Sequence, residues 1–214
     1  MKTSFVELES YGEHGRCAME RKSAWKQYEL ADMEALHDLS TRYIDFISAN
    51  QTERECVDAS IRMAREAGYR TLDELRDAGE TPGPGARIYA SLYGKSVVLV
   101  QVGTQPLERG MNILGAHIDS PRLDIKQNPL FEAGDLALFD THYYGGIKAY
   151  QWVALPLALH GIVVKKDGTT ISVTIGEQPD EPVFCVTDLL PHLAREQMQK
   201  TGEKIVEGEA RDVL

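Results

Sequence analysis

The hydrophobic pattern of the chain changes period at a proline- and glycine-rich loop, residues 81–85, and this change most constrains the fold. Before the loop, apolar residues from Ala31 to Ala49 recur every three or four positions, which predicts an amphipathic helix with one face packed inward. Thr52 and Thr71 each begin a Thr-x-x-Glu capping box, so two further helices are expected. The opening of the chain is therefore predicted to be helical.

After the loop the pattern becomes that of strands. Ile88 to Tyr93 and Ser96 to Val102 flank the tight turn Gly94-Lys95, and the second predicted strand is a nearly continuous run expected to be buried. Met111 to Ala116 predicts another strand, which delivers His117 at its carboxyl end. Binding crevices of open α/β sheets lie outside the carboxyl ends of strands. The chain is thus expected to have an α/β fold with His117 near a functional site.

Beyond Pro129 the sequence is rich in strand patterns and poor in helices. The predicted strands and turn are Leu136 to Phe139, Val153 to Val164 interrupted by Pro156, the turn Lys166-Asp167-Gly168, and Thr170 to Ile175. One helix is expected, from its N-cap Asp188 to Lys200. This shift predicts a domain boundary between residues 1–128 and residues 129–214.

No flexible linker or repeat marks this boundary, so the second segment is expected to return to a shared architecture. The chain ends on the apolar Val213-Leu214 without a helix- or strand-terminating signal. Such an end indicates a chain cut inside a larger fold.

Composition and charge exclude several classes of protein. Hydrophobic residues make up 43% of the 214 residues and charged residues 26%, as in soluble globular proteins. A formal net charge of -10 without a basic patch argues against nucleic-acid binding. No segment has the pattern of a membrane span or a secretion signal. Cys17, Cys56 and Cys185 are too scattered for a disulfide framework or a cysteine zinc site, so a cytoplasmic protein is expected.

The residues best suited to chemistry are His117 and Asp119 in the string Gly115-Ala116-His117-Ile118-Asp119-Ser120-Pro121. Two positions apart on an extended backbone, their side chains point the same way. A neutral imidazole is a good zinc ligand, and a nearby carboxylate can fix its tautomer. A surface hydrogen-bonded pair is the alternative interpretation. Ser120 is too close in sequence to both residues for a catalytic triad with an oxyanion hole.

Several ordered motifs accompany this string. They are Thr52-Glu53-Arg54-Glu55, Gly110 to Lys126, Thr141-His142-Tyr143-Tyr144-Gly145-Gly146-Ile147-Lys148, Leu155-Pro156-Leu157-Ala158-Leu159-His160-Gly161, and Asp188-Leu189-Leu190-Pro191-His192-Leu193-Ala194. Together they resemble the bacterial branch of the aspartyl-aminopeptidase family of dinuclear zinc exopeptidases. The resemblance covers roughly residues 30–214.

The resemblance implies a zinc-exopeptidase-like α/β sandwich, interrupted by an inserted and mostly β dimerisation domain. It implies that His117 is the leading ligand of a two-zinc site and that Asp119 is the catalytic carboxylate that orients it. The family's bridging Asp, Glu general base and final His fall downstream of this chain. His192 matches a position near the active site, as a metal ligand or as a substrate contact from the partner subunit; the alternative is a structural histidine in a helical first turn.

The other candidates have structural interpretations. His142 precedes Tyr143-Tyr144-Gly145-Gly146, where the glycines suit a close backbone approach and equally a turn. His160 is interpreted as a packed or hydrogen-bonded sheet histidine. Asp180-Glu181 is expected in a solvated turn rather than as an acid-base pair. Gly83-Pro84-Gly85 lacks the third glycine of a dinucleotide-binding loop.

The sequence supports three functional hypotheses. The first is a cytoplasmic zinc aminopeptidase that acts on peptides, with acidic N-terminal residues as the first guess, and forms a homo-oligomer through its inserted β domain; this chain would be an incomplete portion of it. The second is a noncatalytic association module with exposed apolar surface and sheet edges. The third is a single-metal hydrolase that uses His117, His192 and a carboxylate.

Overall fold

The computed structural model describes residues 23–207 and 211–214, so Cys17 and the N-terminal residues on which the secretion prediction rests lie outside the described residues. Contacts divide the chain into two units, residues 1–45 and 46–214. In the first unit a short 3-10 helix, Ala24–Lys26, precedes α1, Leu30–Ala49, which continues into the second. The predicted helix is confirmed, but its predicted buried face is not, because none of its residues is buried.

Both predicted capping boxes form in the second unit. Thr52 Oγ1 accepts a hydrogen bond from the Glu55 N–H, and a Glu55 carboxylate oxygen accepts one from the Thr52 N–H, at the start of α2, Glu53–Glu66. Thr71 and Glu74 repeat this exchange at the start of α3, Leu72–Asp77. Each box satisfies helical N–H groups that otherwise lack partners.

The first sheet has three strands: β1, Arg70–Thr71, β2, Arg87–Leu92, and β3, Ser96–Gln101. β2 pairs parallel with β1 and antiparallel with β3. Tyr93 and Gly94 have φ values of 55° and 62°, as a tight hairpin turn requires. The predicted hairpin is therefore confirmed.

The helices α2 and α3 pack their small and apolar side chains with the sheet to form the core of this part. Its buried residues are Cys56, Val57, Ala59, Ala64, Leu75, Ile88 and Tyr89. The expected burial of the strand predicted from Ser96 to Val102 is wrong. Val98, Leu99 and Val100 are exposed on β3, which is an edge strand of this sheet.

The predicted strand Met111 to Ala116 is also wrong. Residues 110–121 have no regular secondary structure, and Leu114 is 99% exposed. A strand needs a neighbour for its backbone N–H and C=O groups. Among the described strands, none pairs with this segment. His117 therefore lies on an irregular stretch, not paired with any described strand, that leads into the next sheet.

The remaining strands form two antiparallel pairs. They are β4, Arg122–Ala133, with β5, Leu136–Tyr144, and β6, Leu159–Val164, with β7, Thr170–Ile175. The β-rich character expected after Pro129 is confirmed. In the strand predicted from Val153 to Val164, the part before Pro156 makes only an isolated bridge, Val153 to Val186. The proposed boundary at residue 128 falls inside β4 and stays a prediction.

The predicted helix from Asp188 to Lys200 is wrong, because the chain forms turns there and a short 3-10 helix, Gln197–Gln199. Isolated short helices are marginal unless an apolar face is buried. Here Leu189, Leu190 and Leu193 are exposed. The Asp188 carboxylate accepts hydrogen bonds from the Leu189 N–H and the Gln197 amide, in a local turn network.

The apolar core of this second half is small, consisting of Val186, Ala194, Val206 and Val213. Val213 bridges both Phe139 and Val186, which fastens the C-terminal residues beside β5. Cys56 and Cys185 are free thiols. Within the described ranges, no helix combines the length and the apolar character that crossing a membrane requires.

Candidate functional site

The predicted pair of His117 and Asp119 is in contact. His117 Nδ1 lies 2.7 Å from Asp119 Oδ1, while the imidazole side chain is 82% exposed. The segment between residue 110 and β4 has no regular secondary structure, and the contact itself shows that the two side chains lie on one side of it. The pair leaves His117 Nε2 directed away from its carboxylate partner and accessible on an exposed ring.

Tyr144, on β5, completes the surroundings of Asp119. Its hydroxyl donates a hydrogen bond of 2.8 Å to Asp119 Oδ2. This hydrogen bond is the main cause that lowers the pKa of Asp119; the charges of His117 and Arg122 act in the same direction, and burial opposes them. The same bond raises the pKa of Tyr144, since an ionised phenol would face the carboxylate. Asp119 is therefore held as an acceptor and Tyr144 as a donor.

Arg122 joins this pair to the first turn of α2. Its Nη1 is 3.1 Å from Glu53 Oε2 and its Nε is 2.6 Å from Asp124 Oδ1. Glu53 is 9% exposed and also contacts Lys95 Nζ at 3.1 Å. Burial is the largest influence on the pKa of Glu53 and raises it, but hydrogen bonds and these two cations lower the pKa overall. Glu53 is thus a buried, ionised anchor.

The sequence interpretation missed Tyr144, Arg122 and Glu53 as members of this cluster. Glu53 and Arg122 are 69 positions apart, and no spacing rule links them. The only signal was indirect: all three belong to the motifs that carry the family resemblance.

His192 lies on an exposed turn near residues 190–194, not on a helix. Across residues 23–207 and 211–214, no three His, Cys, Asp or Glu side chains converge closely enough to hold a metal ion. A catalytic zinc needs about three protein ligands. His117, with Nδ1 fixed by a carboxylate and an exposed ring, fits one of those positions. The complete set that a single-metal hydrolase requires is absent from the described residues.

His160 is a hydrogen-bonded sheet histidine, as predicted. Its Nδ1 is 2.7 Å from Glu55 Oε1 and its Nε2 is 2.8 Å from Glu177 Oε1. The turn interpretation of Asp180-Glu181 is also confirmed, because the Glu181 carboxylate accepts hydrogen bonds from the N–H groups of residues 176–178.

A cavity in the described part of the chain is formed without the His117 pair. Its volume is about 670 Å³, and Tyr143, Lys148, Tyr150 and Arg211 are among its lining residues. Neither His117 nor Asp119 lines it. The candidate chemistry therefore rests on the exposed His117 segment and its contacts rather than on this cavity.

Comparison with known proteins identifies a family. The family model described as aminopeptidase I zinc metalloprotease (M18) matches residues 46–211. A probable M18 family aminopeptidase 1 of Clostridium acetobutylicum is 50% identical over 195 residues, which are 91% of this chain and 42% of that protein. One from Thermotoga maritima is 44% identical over 186 residues, or 87% of this chain and 39% of that protein.

Solved structures agree with these relatives. The crystal structure of an M18 aminopeptidase from Thermotoga maritima matches with a TM-score of 0.79 and 41% identity over 91% of this chain and 41% of that one. Aminopeptidase I from Clostridium acetobutylicum gives a TM-score of 0.77 and 50% identity over 90% of this chain and 42% of that one. The chain spans about two fifths of the length of the relatives it matches.

Proposed function

Because this chain belongs to the aminopeptidase I zinc metalloprotease (M18) family, we propose that the whole protein is a zinc-dependent aminopeptidase that removes N-terminal residues from peptides. The observation that carries the proposal is the contact of 2.7 Å between His117 and Asp119. In peptidases of this chemistry, bound zinc polarises the scissile carbonyl and activates water.

In this proposal His117 is a zinc ligand through Nε2. Asp119 Oδ1 lies 2.7 Å from Nδ1, and the Asp119 backbone carbonyl is a hydrogen-bond partner of Nδ1 at 3.3 Å. In the proposal these two oxygens keep the proton on Nδ1 and leave the lone pair of Nε2 for the metal. The negative charge of Asp119 also increases the basicity of the imidazole. Asp119 is thus assigned the orienting role at the catalytic site.

One histidine cannot hold a catalytic zinc alone, and a two-zinc site needs still more ligands. We therefore propose that the remaining ligands and the general base are supplied by parts of the whole enzyme outside this chain. Support comes from the fact that the chain spans about two fifths of its relatives' length. A preference for acidic N-terminal residues belongs to the same proposal and rests on the family resemblance.

The domain assignment is also a proposal. Residues 1–128 would be the first part of the catalytic domain, and residues 129–214 part of an inserted β domain that joins subunits in a cytoplasmic homo-oligomer. Exposed apolar side chains on the β6–β7 pair support a contact surface there: Ile162, Val163, Val164 and Ile171. His192, which is exposed, would reach the active site as a metal ligand or as a substrate contact of the neighbouring subunit.

Peptidase assays on the full-length protein test the proposed function. We expect hydrolysis of an aspartyl or glutamyl anilide, loss of activity with a chelator, and recovery with zinc. His117→Ala is expected to abolish turnover, whereas His142→Ala, an exposed histidine outside the pair, is the matched control. Full activity in His117→Ala would reject the assignment. A protein that is inactive on all aminoacyl anilides but forms stable oligomers would favour the association module.

A further inference from the structure

Tyr144 lies between the His117–Asp119 pair and the charged cluster around Arg122. Both carboxylate oxygens of Asp119 are engaged: Oδ1 lies 2.7 Å from His117 Nδ1, and Oδ2 accepts the Tyr144 hydroxyl at 2.8 Å. A carboxylate held at only one oxygen can turn about its Cβ–Cγ bond, since that torsion is broad. The Tyr144 hydrogen bond at Oδ2, together with the contact at Oδ1, removes this freedom. The Tyr144 hydroxyl therefore fixes the plane of the carboxylate that faces His117.

The ring of Tyr144 is itself held from across the sheet. Arg122 and Tyr144 are directly paired in the β4–β5 ladder, and the guanidinium carbon lies 4.1 Å from the ring centroid. A cation over an aromatic face at this distance is attracted by the ring's quadrupole. Cross-strand pairing and this stacking together fix where the phenol hydroxyl points.

Arg122 is anchored in turn by two carboxylates. Asp124, on the same strand, contacts Nε at 2.6 Å, and Glu53, at the start of α2, contacts Nη1 at 3.1 Å. Glu53 is buried, and Lys95 holds its other oxygen. A continuous series of contacts thus runs from a buried helix start to the exposed histidine.

We propose that Tyr144 is a positioning residue for the zinc site: it holds Asp119 so that His117 keeps its proton on Nδ1 and presents Nε2 to zinc. This inference rests on the proposed function. Arg122 and Glu53 act through Tyr144, by fixing its ring. The role needs no contact between Tyr144 and metal or substrate, because its effect passes through one carboxylate.

The test compares Tyr144→Phe with Tyr143→Phe in the full-length protein. Each variant removes one hydroxyl from adjacent, part-exposed tyrosines, and only Tyr144 donates to Asp119. Zinc affinity is measured by competition with a chromophoric chelator. We expect zinc binding to be roughly threefold to tenfold weaker in Tyr144→Phe. This loss is smaller than the loss of about tenfold to hundredfold that follows replacement of a residue in direct contact with a metal-ligating side chain. Tyr143→Phe should match wild type, and both variants should unfold at similar urea concentrations.

A double-variant cycle and an NMR measurement separate positioning from general stability. In an Asp119→Ala background, Tyr144→Phe should cause no further loss of zinc affinity, because its partner is gone. In the metal-free protein, nitrogen NMR should show His117 mainly protonated on Nδ1, with a larger Nε2-protonated fraction in Tyr144→Phe.

Two results would overturn the inference while leaving the proposed function intact. One is wild-type zinc affinity in Tyr144→Phe. The other is a loss of zinc affinity in Tyr144→Phe that adds fully to the loss caused by Asp119→Ala. Both apply when His117→Ala still abolishes zinc binding. If His117→Ala retains wild-type zinc affinity, the proposed function itself fails, and the inference fails with it.

Discussion

Glu55 Oε1 lies 2.7 Å from His160 Nδ1, although the two residues are 105 positions apart in the sequence. On the opposite side of the ring, Glu177 Oε1 lies 2.8 Å from Nε2. A neutral imidazole carries one N–H, so hydrogen bonds to carboxylates through both nitrogens require the protonated ring. His160 thus joins the first turn of α2 to the β6–β7 pair as a cation between two anions.

This arrangement predicts that the contribution of His160 and Glu55 to stability is largest in mildly acidic solution. Burial is the largest influence on the pKa of His160 and lowers it, but the hydrogen bonds and charges of Glu55 and Glu177 outweigh burial and raise the pKa. The stabilisation from His160 is then complete below its ordinary pKa of about 6.5 and is lost as the pH rises through the raised value.

The pKa of Glu55 is shifted the other way. Burial, its largest influence, raises this pKa, but the His160 hydrogen bond and the N–H groups of Thr52 and Gln51 lower it overall. Its contribution is present above the ordinary glutamate pKa of about 4.3 and is lost as the pH falls through the lowered value. Together the two groups favour the folded state most strongly between these ordinary values.

Replacement of His160 should reveal this dependence in urea unfolding. His160→Gln is expected to lower the free energy of unfolding by about 1 kcal/mol at pH 6, allowing for the partial exposure of both carboxylates, and by less at pH 9. His37→Gln, an exposed histidine on α1, serves as the control. An equal loss at both pH values in His160→Gln would show that the imidazole is neutral in the folded protein.

Gly176 is predicted to be the less replaceable of two glycines beside β7. Gly176 and Gly168 both have positive φ, 97° and 84°. A Cβ at Gly176 would lie 3.3 Å from backbone atoms of Ala158, Leu157 and Pro182, whereas one at Gly168 meets open space. Gly168→Ala should cost about 1–2 kcal/mol of stability from backbone strain. Gly176→Ala should cost at least about 1 kcal/mol more from crowding.

Thermal or urea unfolding of the two variants measures this difference. Equal destabilisation would mean that the backbone around Gly176 relaxes without cost, and the close packing at the end of β7 would then not constrain the loop.

Exposed apolar side chains predict that the 214-residue chain associates when it is produced alone. They are Val98, Leu99 and Val100 on the edge strand β3, and Met111, Ile113 and Leu114 before His117. Such a surface with an open sheet edge favours self-association. Light scattering after gel filtration should show oligomers that grow with concentration.

A charge placed on this edge strand should reduce the association. Val98→Lys is compared with Thr104→Lys, which adds the same charge at an exposed polar position. A monomeric wild-type chain at all concentrations, with cooperative unfolding, would contradict the prediction.

The sequence correctly predicted those structural elements that depend on residues close together in the chain. Thr52 and Thr71 form their capping boxes, and the Gly94 hairpin forms where the turn residues demand it. These features depend on side chains within a few positions of one another.

The failures have non-local causes. Met111 to Ala116 has the composition of a strand, but no described strand is present to pair with it. The helix expected from Asp188 does not form, since its leucines have no surface on which to pack.

The candidate site likewise contains residues that were predicted from local spacing and residues that were not. His117 and Asp119 were predicted from a two-residue spacing, and they are in contact. The contacts around this pair were not predicted. Tyr144 donates to Asp119, Arg122 pairs with Tyr144 across the β4–β5 ladder, and Glu53 contacts Arg122 from α2. Only the folded chain defines these contacts.

The central claim is that His117 holds zinc with help from parts of the enzyme outside this chain. Its most direct test is elemental analysis of zinc per chain after dialysis, for the full-length protein, its His117→Ala and His142→Ala variants, and the 214-residue chain. We predict about two zinc ions in the full-length protein and in His142→Ala, loss of zinc in His117→Ala, and less than one ion in the short chain. Unchanged zinc in His117→Ala, or one tightly bound ion in the short chain, would contradict the account.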